Sequence, residues 1–238
     1  MPPTSPVQDR ITAYWDQHAP DYQAFQEGRL ANPDYDAAWS RVWRAALPDD
    51  VTTVLDIGTG TGHAALTIAA LGRQVTGLDI APTMVALARD NARRRGLPIT
   101  FLTGDAVAPQ AAGAPYDAVV SRYLLWTLPQ VDAALAAWRT LVRPGGRLAV
   151  VDAPWHAGGM RHGPDSPRAA AYDEQARREL PLAEADTIEA WCEHIARAGF
   201  VDVEAQPLEE LYELDAVHGV AADHRRTLQH LITARNPR

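Results

Sequence analysis

The chain has 238 residues with 30 acidic against 22 basic side chains, a formal net charge of −8; such a field repels polyphosphates and weighs against a nucleic-acid partner. No lysine occurs, so every basic residue in that count is arginine, which excludes Schiff-base chemistry, pyridoxal phosphate attachment and a P-loop lysine. A single cysteine, Cys192, excludes an internal disulfide and a cysteine-based zinc site.

The opening "MPPTSPVQDR" has no apolar signal core, and no stretch approaches the roughly 18 apolar residues of a membrane span. A cytoplasmic location and no membrane partner are expected. From Arg10 to Leu47 the texture is helical and rich in aromatics, with interruptions at Pro20, Gly28 and Pro33. Residues 1–47 read as a helical lid.

From Val51 the pattern changes to short β-rich runs alternating with Ala/Leu/Arg segments, the sequence form of parallel βαβ units. Strands are predicted at "VTTVLDI", "QVTGLDI", "ITFLTGD", "YDAVVSR" and "RLAVVDA", with helices beginning near His63, Pro82, Val131 and Glu184. Arg89, Arg93, Arg94 and Arg95 fall at helical spacing and read as a solvated face. Residues 155–183 form an insertion at the edge of the sheet where binding crevices lie. "VDVEAQPL" and "TLQHLITAR" close the sheet as edge strands joined by a long loop. Residues 48–238 are thus expected to form one Rossmann-like α/β domain, a doubly wound seven-stranded sheet.

The most informative stretch is "VLDIGTGTGHAA", a strand that breaks into a glycine turn and starts a helix. Gly58, Gly60 and Gly62 let backbone approach a ligand without Cβ interference. A dinucleotide-binding turn usually carries its third glycine where His63 stands. Asp56, directly before the turn, would repel a pyrophosphate and accept hydrogen bonds from an ammonium. Asp79 ends the next strand, where a ribose with two free hydroxyls can be gripped. Asp105 follows the third strand and can accept from an exocyclic amine.

With these residues in that order, the sequence resembles the class I S-adenosylmethionine-dependent methyltransferases of small-molecule type. "VLDIGTGTG" is similar to their first motif, "VTGLDIAPTMV" to their ribose segment, "FLTGDA" to their adenine segment and "LVRPGGRLAVVD" to their fifth-strand entry. The resemblance implies that Asp56, Gly58, Thr59 and Gly60 hold the methionine moiety and Asp79 the ribose. It implies that Gly104, Asp105 and Ala106 hold the adenine, flanked by Ile80 and Met84, with Ser121 also at the cofactor. "YWDQHAPDY" is similar to lid openings in which tyrosines, here Tyr14 and Tyr22, close over S-adenosylmethionine.

"SRYLLWTLP" should run beneath the sulfonium. Family members with a loop base often have histidine near the place of Trp126, and this chain has none there. The Asn-Pro-Pro-Tyr segment of amino-methylating relatives is also missing. Tyr123, Trp126, Trp155 and His162 are the expected acceptor contacts, and His18, Tyr14 and His156 the acid–base candidates. No metal is expected, because the Asp152–His156 spacing lacks further acidic ligands. The expected activity is methyl transfer to a small aromatic or heterocyclic acceptor. The alternatives are intramolecular cyclisation of the cofactor with loss of methylthioadenosine, and a cofactor-binding module without turnover.

Overall fold

Val, Leu, Ile and Ala runs that end in a charged residue suit strands covered on both faces, and they occupy the centre of the protein. The computed structural model describes residues 6–110, 113–160, 167–220 and 225–237. In chain order, α1 (Pro6–Leu30) and α2 (Pro33–Ala46) precede β1 (Thr53–Ile57), α3 (His63–Ala70), β2 (Gln74–Asp79), α4 (Pro82–Arg95) and β3 (Thr100–Thr103). Then come β4 (Tyr116–Arg122), α5 (Val131–Leu141), β5 (Val142–Asp152), α6 (Pro167–Ala171) and α7 (Glu174–Glu179). The chain closes with α8 (Glu189–Arg197), β6 (Val201–Pro207), α9 (Glu209–His218) and β7 (His230–Arg235).

The strands form one seven-stranded sheet in the order β3-β2-β1-β4-β5-β7-β6. Neighbours from β3 to β5 are parallel, whereas β7 runs antiparallel to both β5 and β6. Strand order reverses between β1 and β4, and the crevice of such a sheet opens at the carboxyl ends there. One apolar layer holds Trp138 and Trp191, the other Trp39 and Trp43. The expected doubly wound seven-stranded α/β architecture is the one observed.

The first 47 residues do two jobs. α2 packs on α3, α9 and β7 and buries Tyr35, Trp39 and Trp43 in the core. It starts where Asn32 accepts a hydrogen bond from Asp34 N at 2.9 Å and Pro33 takes the first helical position. α1 runs unbroken through Pro20 and Gly28, where interruptions were expected, and lies across the sheet edge. Asp16 of α1 accepts from Thr83 N at 2.8 Å, capping α4, and the Gln23 and Asn91 amides exchange hydrogen bonds of 2.9 and 3.0 Å. On the other side Arg10 pairs with Asp173, and Trp15 Nε1 donates to the Tyr172 hydroxyl at 3.0 Å. α1 is therefore held both to α4 and to the insertion.

Two expected boundaries differ. α8 starts at Glu189 rather than near Glu184, because Glu184 and Asp186 turn their carboxylates back to accept from Met160 N and Gly158 N. A helix, α9, stands where a plain loop was expected between the last two strands. Among the described residues, no helix is long and apolar enough to cross a membrane.

Candidate functional site

The glycine turn is built by hydrogen bonds on both of its flanks. Gly58 and Gly60 have φ of 70° and 54°, a region that favours glycine. A Cβ on Gly58 would stand 2.6 Å from Leu124 Cδ2. Gly58 N and Thr59 N both donate to Leu78 O, at 2.8 and 2.9 Å, which fixes the turn to β2. Asp56 lies beneath the turn, buried. Its Oδ2 accepts from Thr59 Oγ1 at 2.7 Å and Ala65 N at 3.1 Å, and burial pushes its carboxyl up to about 6 despite those donors. Asp56 and Thr59, expected as direct cofactor contacts, are thus beneath the turn rather than on the wall of the crevice.

Above the turn a cavity of about 750 Å³ runs under α1. At one end, Asp79 accepts from Gly60 N at 2.8 Å and Ala81 N at 3.0 Å. Burial raises its carboxyl above the usual range, and backbone donors at Ala81, Gly60 and Ile80 oppose that rise. Ile80 and Met84 line the same end, with Gly104, Asp105 and Ala106. Asp105 Oδ1 accepts from Val107 N at 2.8 Å. A Cβ on Gly104 would stand 2.7 Å from Leu78 Cδ1, so a side chain here would have to displace the end of Leu78.

The middle of the cavity is aromatic. Trp126 stacks on Tyr172 at 5.1 Å and meets His156 edge-on at 5.4 Å. Trp155 packs on Tyr123 at 4.8 Å, and its Nε1 donates to Asp152 at 2.6 Å. Asp152 is fully buried at the end of β5, and burial pushes it up to about 7 against the Trp155 bond. From α1, Tyr14 and His18 reach the cavity stacked at 4.3 Å. His18 Nδ1 lies 2.8 Å from Tyr14 O. A carbonyl only accepts, so Nδ1 carries the proton, and in the neutral ring Nε2 holds the basic lone pair.

Tyr14, Tyr22, His18, Tyr123, Trp126, Trp155 and His156 are therefore brought to one space with Asp79 and Asp105. Ser121 is not. Its hydroxyl donates to Ile57 O at 2.8 Å in the fully buried layer between β4 and β1, because alternate residues of a strand face opposite sides of the sheet. His162 lies outside the described residues. Sequence reasoning passed over Arg122, Arg29, Asp215 and Gln229, which line the cavity as well. Arg122 carried the available signal, since it is a charge ending the apolar run "YDAVVSR" just as Asp79 ends "QVTGLD".

The donor set fits S-adenosylmethionine. Gly60 leaves open backbone with only the Tyr22 ring near, 3.7 Å from where a Cβ would be. Asp79 has a carboxylate with lone pairs left for two hydroxyls. Asp56 Oδ1, buried without a hydrogen-bond partner among the described residues, lies beneath the turn and outside that set. Among those residues, no group of three or more His, Cys, Asp or Glu side chains is arranged to hold a metal ion.

Comparison with known proteins gives the same direction. Residues 54–146 match the family model described as a methyltransferase domain. The demethylmenaquinone methyltransferase of Thermus thermophilus is 37% identical over 141 residues, covering 57% of this chain and 62% of the relative. The matched segment thus spans less than two thirds of that protein. The enzyme of the same name from Deinococcus radiodurans is 34% identical over 166 residues, covering 67% of this chain and 68% of the relative. The solved [4+2]-cyclase SpnF superposes with a TM-score of 0.60 at 24% identity, over 85% of this chain and 82% of that one, a likeness of fold.

Proposed function

The chain belongs to the class I S-adenosylmethionine-dependent methyltransferases, and from that premise we propose that it methylates a small aromatic or heterocyclic acceptor. The observation that carries this reading is the continuity of one cavity lined by the acidic Asp79 and Asp105 and by the aromatic Trp126 and Trp155. The relatives named for demethylmenaquinone support an aromatic-ring acceptor.

When bound, the cofactor supplies a methyl group on a sulfonium, already activated for displacement. Asp79 would take the ribose hydroxyls, Asp105 the adenine amine, and the backbone around Gly60 the amino-acid arm. The aromatic faces of Tyr14 and Tyr22 attract a sulfonium charge, by roughly 0.5–2 kcal/mol once water is excluded. Trp126 and Trp155 hold a flat acceptor by stacking and keep water out. Orientation of this kind is worth roughly 7–11 kcal/mol of barrier in favourable cases, so the chain needs no strong base. Where the acceptor must lose a proton, His18, which lines the cavity, would receive it at Nε2.

The test is mass spectrometry of purified protein with S-adenosylmethionine, alone and with a panel of phenols, quinols and nitrogen heterocycles. Acceptor-dependent S-adenosylhomocysteine in equal amount with a methylated product is the expected result. Methylthioadenosine formed without any acceptor would replace the reading by cofactor cyclisation. Tight binding with no turnover across the panel would replace it by a binding module.

A further inference from the structure

Arg122 closes β4 with only 8% of its surface exposed, yet no carboxylate among the described residues lies within ion-pair distance of it. What it touches is neutral. Its guanidinium donates to the Tyr22 hydroxyl at 3.2 Å and sits over the rings of Tyr123 at 4.1 Å and Trp39 at 5.0 Å. Asp56 feels this charge across the glycine turn without pairing with it. An ion taken out of water without a counter-ion is costly, and buried charges in stable proteins are paired unless something else offsets them.

A second guanidinium stands beside it. Arg29, from the end of α1, lines the same part of the cavity, lies over the rings of Phe25 and Tyr35, and is ion-paired with buried Asp215. Asp215 thus pairs directly with only one of the two guanidiniums, and Asp56, the other carboxylate whose charge reaches Arg122, makes no ion pair with it. This end is also set apart from the acidic one. β4 is three strands along the sheet from β3, about 14 Å at the usual strand spacing.

We propose that Arg122, with Tyr22 and Arg29 beside it, forms a carboxylate-binding subsite of the cavity. The planar fork of an arginine matches a carboxylate in two parallel hydrogen bonds, and the aromatic faces on which Arg122 rests hold that fork in place while excluding water. Two sources can supply the carboxylate: the amino-acid arm of the cofactor, which would run from the glycine turn toward β4, or an acidic group on the acceptor. The first source rests on the methyltransferase reading of the site; the second does not depend on which cofactor binds.

The experiment is calorimetric titration of the full chain and of Arg122→Met with S-adenosylmethionine, with decarboxylated S-adenosylmethionine, and with benzoate, each benzoate titration run on ligand-free and cofactor-saturated protein. If the cofactor arm is the source, the native chain binds S-adenosylmethionine at least tenfold tighter than its decarboxylated form, and Arg122→Met removes that difference. If the acceptor is the source, the two cofactors bind alike, benzoate binds the cofactor-saturated chain, and Arg122→Met abolishes that binding. Either pattern supports the subsite. Equal cofactor affinities together with benzoate binding that is absent or indifferent to the substitution would overturn it. Failure of S-adenosylmethionine to bind at all would defeat the methyltransferase reading, while benzoate on the ligand-free chain would still test Arg122.

Thermal melts keep the two kinds of role apart. A ligand-binding Arg122 predicts that the ligand-free Met variant melts no lower than the native chain, since an uncompensated buried charge has been removed. A melting point several degrees lower, with cofactor discrimination intact, would make Arg122 a structural residue and overturn the proposal. Should Arg122→Met fail to fold, Arg122→Lys keeps the charge but loses the fork and is expected to lose threefold or more of the discrimination. Unchanged discrimination in that variant would count against the subsite.

Discussion

Replacing Asp79 by Asn separates ligand binding from folding at the residue proposed to take the ribose. The carboxylate accepts from Gly60 N at 2.8 Å through Oδ2 and from Ala81 N at 3.0 Å through Oδ1. Asn keeps one acceptor oxygen, now uncharged, and turns the other into a donor, so one backbone donor and one ribose hydroxyl would lose their acceptor and the remaining bonds their charge. A hydrogen bond to a charged group is worth about 1.5–3 kcal/mol, which corresponds to a loss of about 10–150-fold in affinity for S-adenosylhomocysteine. Stability should change far less. Burial disfavours the Asp79 charge, raising its carboxyl above the usual range, and removing that charge offsets the lost bond to the turn. Calorimetry and a thermal melt on the same sample make the comparison. A dissociation constant within threefold of the native chain, at an unchanged melting point, would refute the assignment of Asp79 to the ribose.

Asp152 stands at about 7 when folded against 3.8 for an unperturbed carboxyl, so the native state keeps a proton that the unfolded chain releases between these values, and stability falls as pH rises through that window. At 1.36 kcal/mol per pH unit the contribution is on the order of 4 kcal/mol; melts from pH 4 to 8 should fall less for Asp152→Asn than for the native chain, and parallel curves would contradict this. Gly58→Ala combines a left-handed φ of 70° with a Cβ 2.6 Å from Leu124 and should cost about 2–4 kcal/mol by chemical denaturation; a loss under 0.5 kcal/mol would sink the steric argument. Tyr172→Phe removes the hydroxyl that accepts from Trp15 and bonds Thr127 at 2.8 Å, at about 1–3 kcal/mol. Hydrogen exchange should then quicken in α1 more than in β1, and uniform exchange would argue against α1 opening as a unit.

The parallel strands were legible as short apolar runs, and in β2, β4 and β5 a charge ends the run, at Asp79, Arg122 and Asp152. Which side of the sheet a residue faces was not legible. β4 is covered on both faces, so its burial shows no alternation, and nothing in "VVSRY" tells that Ser121 turns to Ile57 while Arg122 enters the cavity. Asp56 was read as a ligand contact because it precedes the glycine turn, but its place under the turn is fixed by Thr59 and Ala65, a local closure that spacing alone does not reveal. α9 was missed because "EELYELDAVH" buries little, chiefly Leu211 and Asp215, and gives no apolar stripe. The start of α8 was misjudged for another reason. Glu184 and Asp186 are good helix-opening residues whose carboxylates are used on backbone amides more than 20 residues away.

The selectivity of the turn against pyrophosphate, first read from Asp56, rests more directly on Asp79. A phosphate held at a glycine turn needs the amides of that turn as donors. Here Gly58 N and Thr59 N are bound to Leu78 O, and Gly60 N is bound to the Asp79 carboxylate. A phosphate would have to displace a carboxylate of its own sign, with Asp56 adding negative charge from below wherever the pH exceeds about 6. A ribose meets the same groups without conflict, because hydroxyls donate to the carboxylate while it continues to accept from the turn. The asymmetry then continues along the cavity. If Arg122 binds a carboxylate as proposed, a ligand with hydroxyls and an amine at one end and a carboxylate at the other would find complementary groups in one orientation only.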